Sequence, residues 1–546
     1  MDESTTAPPL AHDRHIRSAS MRGTLSALIA SAAFLLGTTP SRAQTPAAQG
    51  AVMSRIRTEG QERSQLYPLA QTLMDSIGPR LVGSIEQRRA NEWVLSMYRT
   101  WGIPARSERY GTWNEWRRAI AHIDLIAPRQ RPLEGILSTW SPGTKGAVEA
   151  AVVVQPDVQN AAEFESWLPR ARGKFVLLNF PWPSCRPDSE LKAATMPETF
   201  ERMQSERKTA FDAWYAGRRR SGLRGTALVR RLAEAGALGV VTSLVPPPGP
   251  QGWGVSKIST TVSDTIPEIG LSCEDYGLVY RLAEHNQGPV LRVDAQSTLG
   301  AEVPAANVIA ELRGREKPDE YVVLSAHLDS WDPASGATDN GTGTVVMMEA
   351  MRILKQVYPN PRRTILVGHW NGEEQGFNGS GSFAADHPQV ISGLQALFNQ
   401  DNGTGRIMRI SMEGFAGAGA FFRRWLSRMP DEIARDVQLV DPGTPGHGTD
   451  HVSFTCRGAP AFNLGSRDLD YVTYTWHTNL DTFDKLVFDD LRHNAMLIAM
   501  LAYQASEDPE RIPHEARVGP PDPRTGRPGA AATCRPPARS WAESAG

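Results

Sequence analysis

From about residue 300 onward the chain alternates between strand-type and helix-type patterns, and that alternation limits the folds open to it. Apolar runs at 321–326, 364–369 and 394–400 read as buried strands, with a helix from about 344 to 357 between the first two. Strands alternating with helices predict an α/β fold: a mostly parallel sheet with helices on both faces. Ligands bind such sheets beyond the carboxyl ends of the strands, where segments distant in sequence can meet.

Residues able to hold a metal stand at those ends. Strand 321–326 runs into His327-Leu328-Asp329, and a turn of small residues, Gly336 to Gly343 with Asp339 and Asn340 inside it, leads into the helix. Strand 364–369 runs into Asn371-Gly372-Glu373-Glu374, strand 394–400 into Asp401-Asn402, and far downstream stands Trp476-His477-Thr478-Asn479-Leu480-Asp481-Thr482. Imidazoles and carboxylates suit zinc. One His and one carboxylate on each ion, with a further carboxylate bridging, would hold two ions ~3.5–4 Å apart, the spacing of a two-metal hydrolase. Asp329 can orient the system from behind a ligand. Adjacent Glu373 and Glu374 can divide two tasks, base and ligand, because consecutive side chains at a strand end point in different directions.

Each residue alone has a plainer explanation. Asp339 could be a helix N-cap, Glu373-Glu374 a solvated turn, and a lone histidine a satisfied structural one; His369, which no motif claims, keeps that explanation. For His447, Asp450 and His451, in a Gly/Thr-rich loop, a pocket wall and a plain loop are equally open. Five stretches in one consistent order outweigh the separate explanations.

The stretches 327–329, 336–343, 371–380, 401 and 477 resemble the motifs of the co-catalytic zinc exopeptidase family that includes bacterial leucyl aminopeptidases, aminopeptidase Y, glutamate carboxypeptidase II and carboxypeptidase Q. The family pattern is His-x-Asp, Gly-Ala-x-Asp-Asn-x-x-Gly, Glu-Glu, a lone Asp and a late His. The resemblance implies two zinc ions: His327 and Asp401 on one, Glu374 and His477 on the other, Asp339 bridging, Glu373 as general base and Asp329 as its partner behind the ligands. Several relatives carry a Tyr before the late His that helps stabilise the tetrahedral intermediate; here Trp476 stands there, so Trp476, Tyr474, Tyr471 or zinc alone takes that role. Residues 134–297 resemble a protease-associated domain, a β-rich insert of several members. Gly78-Pro79-Arg80-Leu81-Val82-Gly83-Ser84, with this layout, is most similar to the carboxypeptidase Q branch.

The remaining sequence sets the frame. A chain of 546 residues exceeds one ordinary core. With 58 Lys plus Arg against 60 Asp plus Glu it has no basic field for nucleic acid or an anionic membrane. Met21-Arg22, the apolar run 25–36 and the small residues Ser41 and Ala43 read as a secretory signal behind an upstream extension, residues 1–20. The division expected is 1–43 extension and signal, 50–133 first part of the peptidase domain, 134–297 insert, 298–507 second part with the metal site, and 508–546 a disordered Pro/Arg-rich tail. Ser84-Ile85-Glu86-Gln87 opens a helix; 119–127, 152–154 and 175–178 read as strands, and 184–225 as a solvated insertion. The four cysteines lack zinc-knuckle or redox spacing. The expected protein is a secreted or periplasmic dinuclear zinc exopeptidase, aminopeptidase or carboxypeptidase, acting on short peptides. It needs no nucleic acid, and no membrane after signal cleavage; a homodimer stays open. The rivals are a single-zinc glutaminyl cyclase-like enzyme and a catalytically inactive receptor-like binding protein.

Overall fold

Side chains alternate across a strand, and in the half from about residue 300 onward both faces are apolar, so each strand is packed on two sides. Val322, Leu324, Ile365, Val367 and Phe398 point into one core, and Val323, Leu366 and Leu397 into another. The computed structural model describes residues 46–244, 265–441, 443, 448–514 and 533–544. The signal segment, the Pro/Gly-rich stretch 246–254, His447 and residues 515–532 lie outside the described residues.

Among the described residues fourteen strands join in one sheet: β1 (Ala105–Ala127), β2 (Arg131–Pro132), β3 (Gly135–Leu137), β4 (Val148–Val154), β5 (Phe175–Leu177), β6 (Gly239–Thr242), β7 (Glu268–Leu271), β8 (Val290–Leu312), β9 (Lys317–His327), β10 (Arg363–Trp370), β11 (Leu394–Asn399), β12 (Ile407–Ser411), β13 (Gln438–Val440) and β14 (Ala461–Ser466). The spatial order is β13-β12-β14-β11-β9-β10-β8-β4-β5-β6-β7-β3. The runs β14-β11-β9-β10 and β4-β5-β6-β7 are parallel, and β8 joins them through antiparallel pairing with β10 and β4. The mixed α/β architecture with a central, mostly parallel sheet is as the alternation predicts.

Helices Thr342–Val357 and Phe488–Glu507 bury their apolar sides in the first core, while Phe383, Val390 and Phe454, from three short helices, close the second. Helix Ile85–Thr100 begins where predicted: Ser84 Oγ accepts from the Gln87 amide at 3.0 Å, a cap worth ~1 kcal/mol. Trp113 and Trp116 are buried on β1, pairing strand to core.

Two regions differ from expectation. Residues 184–225 contain helices Asp188–Ala194 and Pro197–Arg219. The longer one has a narrow half-buried stripe, Phe200, Met203, Arg207, Phe211 and Trp214, in which Phe211 and Trp214 pack on Phe180 and Arg207 lies over Trp182; with Arg207 in the stripe and only Gly217 buried, its period is faint in sequence. In the Pro/Arg-rich tail, residues 533–544 return to the body. Cys534 is bonded to Cys456, Ala538 N donates to Asn378 Oδ1 at 2.8 Å, Arg539 makes a two-pronged ion pair with Asp386, and Trp541 packs against Trp113 and Trp140. The second disulfide, Cys185–Cys273, ties the region before helix 188–194 to helix Cys273–Glu284. No helix among the described residues is long and apolar enough to cross a membrane.

Candidate metal centre

Three neighbouring strands deliver the candidate residues to one end of the sheet. His327 closes β9, in register with Trp370 at the end of β10; Glu373 and Glu374 follow β10, and Asp401 follows β11. Asp339 lies in the turn before helix 342–357, and His477 beyond β14. His327, Asp339 and Asp401 form one group whose donor atoms lie within 4.8 Å of one another; Asp339, Glu374 and His477 form a second. Asp339 is common to both. His327 Nε2 stands 3.2 Å from Asp401 Oδ1 and 3.3 Å from Asp339 Oδ1, and His477 Nε2 stands 2.9 Å from Glu374 Oε2 and 3.2 Å from Asp339 Oδ2. Glu373 Oε2 reaches to 4.0 Å from His327 Nε2.

The orientation of each side chain has a local cause. His327 Nδ1 is 3.0 Å from the Asp329 carbonyl; a carbonyl only accepts, so Nδ1 carries the hydrogen and Nε2 is left to face the carboxylates. The Asp329 carboxylate accepts from the Glu373 amide at 3.3 Å and the Glu374 amide at 3.4 Å, which fixes the backbone that aims the two glutamates apart. Asp481 does the same for the turn, taking the Thr338 amide at 2.7 Å and the Asp339 amide at 3.0 Å. Asn340 links that turn to β11 by donating to the Gln400 carbonyl at 2.8 Å and capping Gly343 N at 3.0 Å. Glycine at 343 follows from this crowding, since a Cβ would stand 2.4 Å from Asn340 Oδ1 and 2.5 Å from Gln400 O.

The electrostatics are those of crowded buried anions. Burial raises Glu374 to about 7, with Asp339 adding to the rise against His477. Burial likewise lifts Glu373 well above the usual carboxylate range, and Asp450 to about 8. Burial opposes the charged form of His477, but Glu374 and Asp339 outweigh it and hold the imidazole up at about 10. Asp339, although buried, is drawn below its ordinary value by the two imidazoles. Glu374 Oε1 is buried without a hydrogen-bond partner. Such a set of converging imidazoles and carboxylates fits one divalent cation per group, because a cation takes up both lone pairs and excess charge.

Other singled-out residues divide. His369 is in the core, its Nε2 2.7 Å from the Tyr98 hydroxyl, away from both groups. Asp450 is fully buried with His327, Asp401 and Asp329 acting on it. Trp476 packs on the His477 ring at 4.3 Å, and the Tyr471 phenol feels Asp339, Asp401 and Glu374. Sequence reading gave Asp481 and Arg80 no role. Their partners are backbone groups, which no residue pattern announces.

Comparison with known proteins agrees with the geometry. Residues 307–502 match the model of peptidase family M28. Carboxypeptidase Q from Mus musculus is 23% identical over 461 residues, covering 83% of this chain and 88% of that protein; the Homo sapiens protein is 24% identical over 459 residues, with coverage of 83% and 88%. Among solved structures, a peptidase M28 precursor from Shewanella amazonensis superposes with a TM-score of 0.63 at 21% identity, covering 87% of this chain and all of the other. A zinc aminopeptidase from Bacillus subtilis does so with a TM-score of 0.52 at 18% identity, covering 82% and 98%. The motif resemblance agrees with these findings: residues 307–502 match the peptidase family M28 model, and the α/β fold is the one seen in solved M28 peptidases.

Proposed function

We propose that the chain is a secreted or periplasmic, zinc-dependent exopeptidase that hydrolyses short peptides. The observation that carries this reading is the pair of donor groups sharing Asp339, with Glu373 beside them and outside both. His327 and Asp401 would hold one zinc, Glu374 and His477 the other, and Asp339 both. Zinc in such a set supplies Lewis-acid polarisation of a carbonyl and makes a water easier to deprotonate. The rest falls to the chain. Glu373 takes the proton of the attacking water on a carboxylate oxygen and returns it to the leaving amine. Asp329, holding the amides of Glu373 and Glu374, keeps that oxygen in reach and separates the base from its ligand neighbour.

The two disulfides support an exported protein, since such bonds persist in oxidising compartments. Residues 134–297 are assigned as a protease-associated-like insert between the two parts of the peptidase domain. The likeness to proteins named carboxypeptidase Q over 83% of the chain favours an exopeptidase. Dipeptides have both charged ends near the scissile bond, so unblocked dipeptides are expected to be cleaved much faster than long chains.

The test combines metal analysis with blocked peptides. Two zinc ions per chain, activity lost to chelation and restored by zinc are expected. One ion per chain points to the cyclase-like alternative, and none to a binding protein. Loss of cleavage on acetylation marks an aminopeptidase and loss on amidation a carboxypeptidase; efficient cutting of a doubly blocked peptide overturns the exopeptidase reading.

A further inference from the structure

Segment 78–84 supplies no ligand and no proton to the chemistry above, yet it sends a charged side chain directly behind the metal centre. Arg80 is fully buried. Among the described residues it has no carboxylate within ion-pair distance; its donors go to four backbone carbonyls instead. Nε donates to Leu328 O at 2.7 Å, Nη1 to Gly78 O at 2.9 Å and Ser335 O at 2.6 Å, and Nη2 to Gly336 O at 2.9 Å. Its backbone is pinned too, N to Ser330 Oγ at 3.0 Å and O from Ser330 N at 3.2 Å. The carbonyls of 328, 335 and 336 belong to the stretch between His327 and Asp339. A buried charge needs compensation, and here the field of Asp481, Asp329, Asp339 and Glu374 provides it.

Asp481 completes the arrangement from the other side. Arg80 holds the carbonyls of 335 and 336, and Asp481 holds the amides of 338 and 339, so one short turn is gripped at both ends by groups of opposite charge. Between them Gly336 has φ 56° and ψ 48°, where a Cβ would lie 2.2 Å from Ser330 Cβ. Only a planar fork with five donors can satisfy carbonyls in these directions; a lysine ammonium presents three donors from one point.

We propose that Arg80 is a positioning residue of the metal centre. With Asp481 it clamps the 335–339 turn by its backbone, and so aims Asp339, the residue common to both donor groups, at the place where the ions bind. The proposal rests on the zinc reading above. It differs from a merely structural role because it ties residue 80 to metal affinity.

The experiment measures zinc affinity by competition with a chromophoric chelator, and the visible spectrum of the cobalt-substituted protein, in wild type, Arg80→Lys, Arg80→Met and Asp481→Asn. Both Arg80 variants and Asp481→Asn are expected to lose ~10–100-fold in zinc affinity with an altered cobalt spectrum, the range seen when groups behind a ligand are removed. The double variant should lose little more than either single one, because one clamp has been opened twice. Arg363→Met is the control: Arg363 is equally buried but ion-paired to Glu320, and its loss should lower the melting temperature without changing zinc affinity. If Arg80→Met does not fold, Arg80→Lys and Asp481→Asn decide. Folded Arg80 variants with wild-type affinity and spectrum overturn the proposal, as does an equal zinc loss in Arg363→Met. A wild-type chain that takes up no zinc defeats the zinc reading and the clamp with it; uptake that is equal in wild type and variants defeats the clamp alone.

Discussion

The two donor groups share Asp339 but are built from different material. His327 ends a central strand, is fully buried, and has its ring held by the Asp329 carbonyl; Asp401 follows the next strand. His477 comes from a segment outside the sheet, has φ 54°, and leaves 26% of its side chain exposed. Its ring rests on Trp476 and meets Trp331 edge-on at 5.9 Å. Residues fixed by a sheet hold their direction at little further entropic cost, whereas a loop residue must be ordered by its neighbours. We expect the first group to be the more rigid seat for an ion and the second the more adjustable one.

The strongest way to break this contrast is at the shared residue. Asp339→Ala should empty both seats and abolish turnover, as read by elemental analysis beside a peptide assay; retention of either ion would mean that the groups do not depend on Asp339 alike. Next, Glu373→Gln should lower kcat by ~10²–10⁴ with both ions retained, whereas Glu374→Gln should deplete the adjustable seat. The reverse pattern would exchange the two glutamates' roles. A graded chelator titration sharpens the comparison further: the ion at the His477 seat should leave first, and His477→Ala should retain about one zinc in the His327 seat. If His477→Ala instead emptied the rigid seat, burial and sheet support would not be what ranks them. The smallest effect is expected from Cys534→Ser, which frees one end of segment 533–544. The melting temperature should fall by several degrees with zinc content unchanged, because that segment is bonded to Asn378, Asp386 and Thr112 and not to either group.

The seats and the clamp were not equally legible in sequence. Strand ends rich in His, Asp and Glu can be read from a chain whose strands are apolar on both faces, because several such ends in succession offer one ligand chemistry where each alone has a plainer explanation; 327, 373–374 and 401 were legible together in this way. Asp339 and His477 became readable through their order relative to the others. Arg80 and Asp481 did not, since the groups they hold are main-chain carbonyls and amides, identical at every residue. Among the elements, helix 197–219 was obscured by a charged residue in its narrow half-buried stripe, and segment 533–544 by depending on a disulfide, an ion pair and one tryptophan pocket, all contacts distant in sequence. The full length of β1 was hidden as well. Only 119–127 alternates clearly, while Arg106 and Arg109 are exposed and paired across to β8 through backbone bonds.

That ribbon of β1 and β8 also orders events in time. Ala105 pairs with Ala310 and Ala127 with Val290, so every rung joins residues separated by the whole of 134–289. Closing so large a loop is entropically costly until the intervening chain has collapsed, and contacts of this range slow folding. During synthesis β1 emerges long before its partner exists. Its polar residues, Arg106, Glu108, Arg109, Arg117 and Arg118, then keep an unpaired edge from recruiting other chains. The metal end of the sheet can close only after β8 has arrived to sit between β10 and β4, so a substitution that slows the 134–289 block should delay the appearance of zinc binding even where it leaves the finished site untouched.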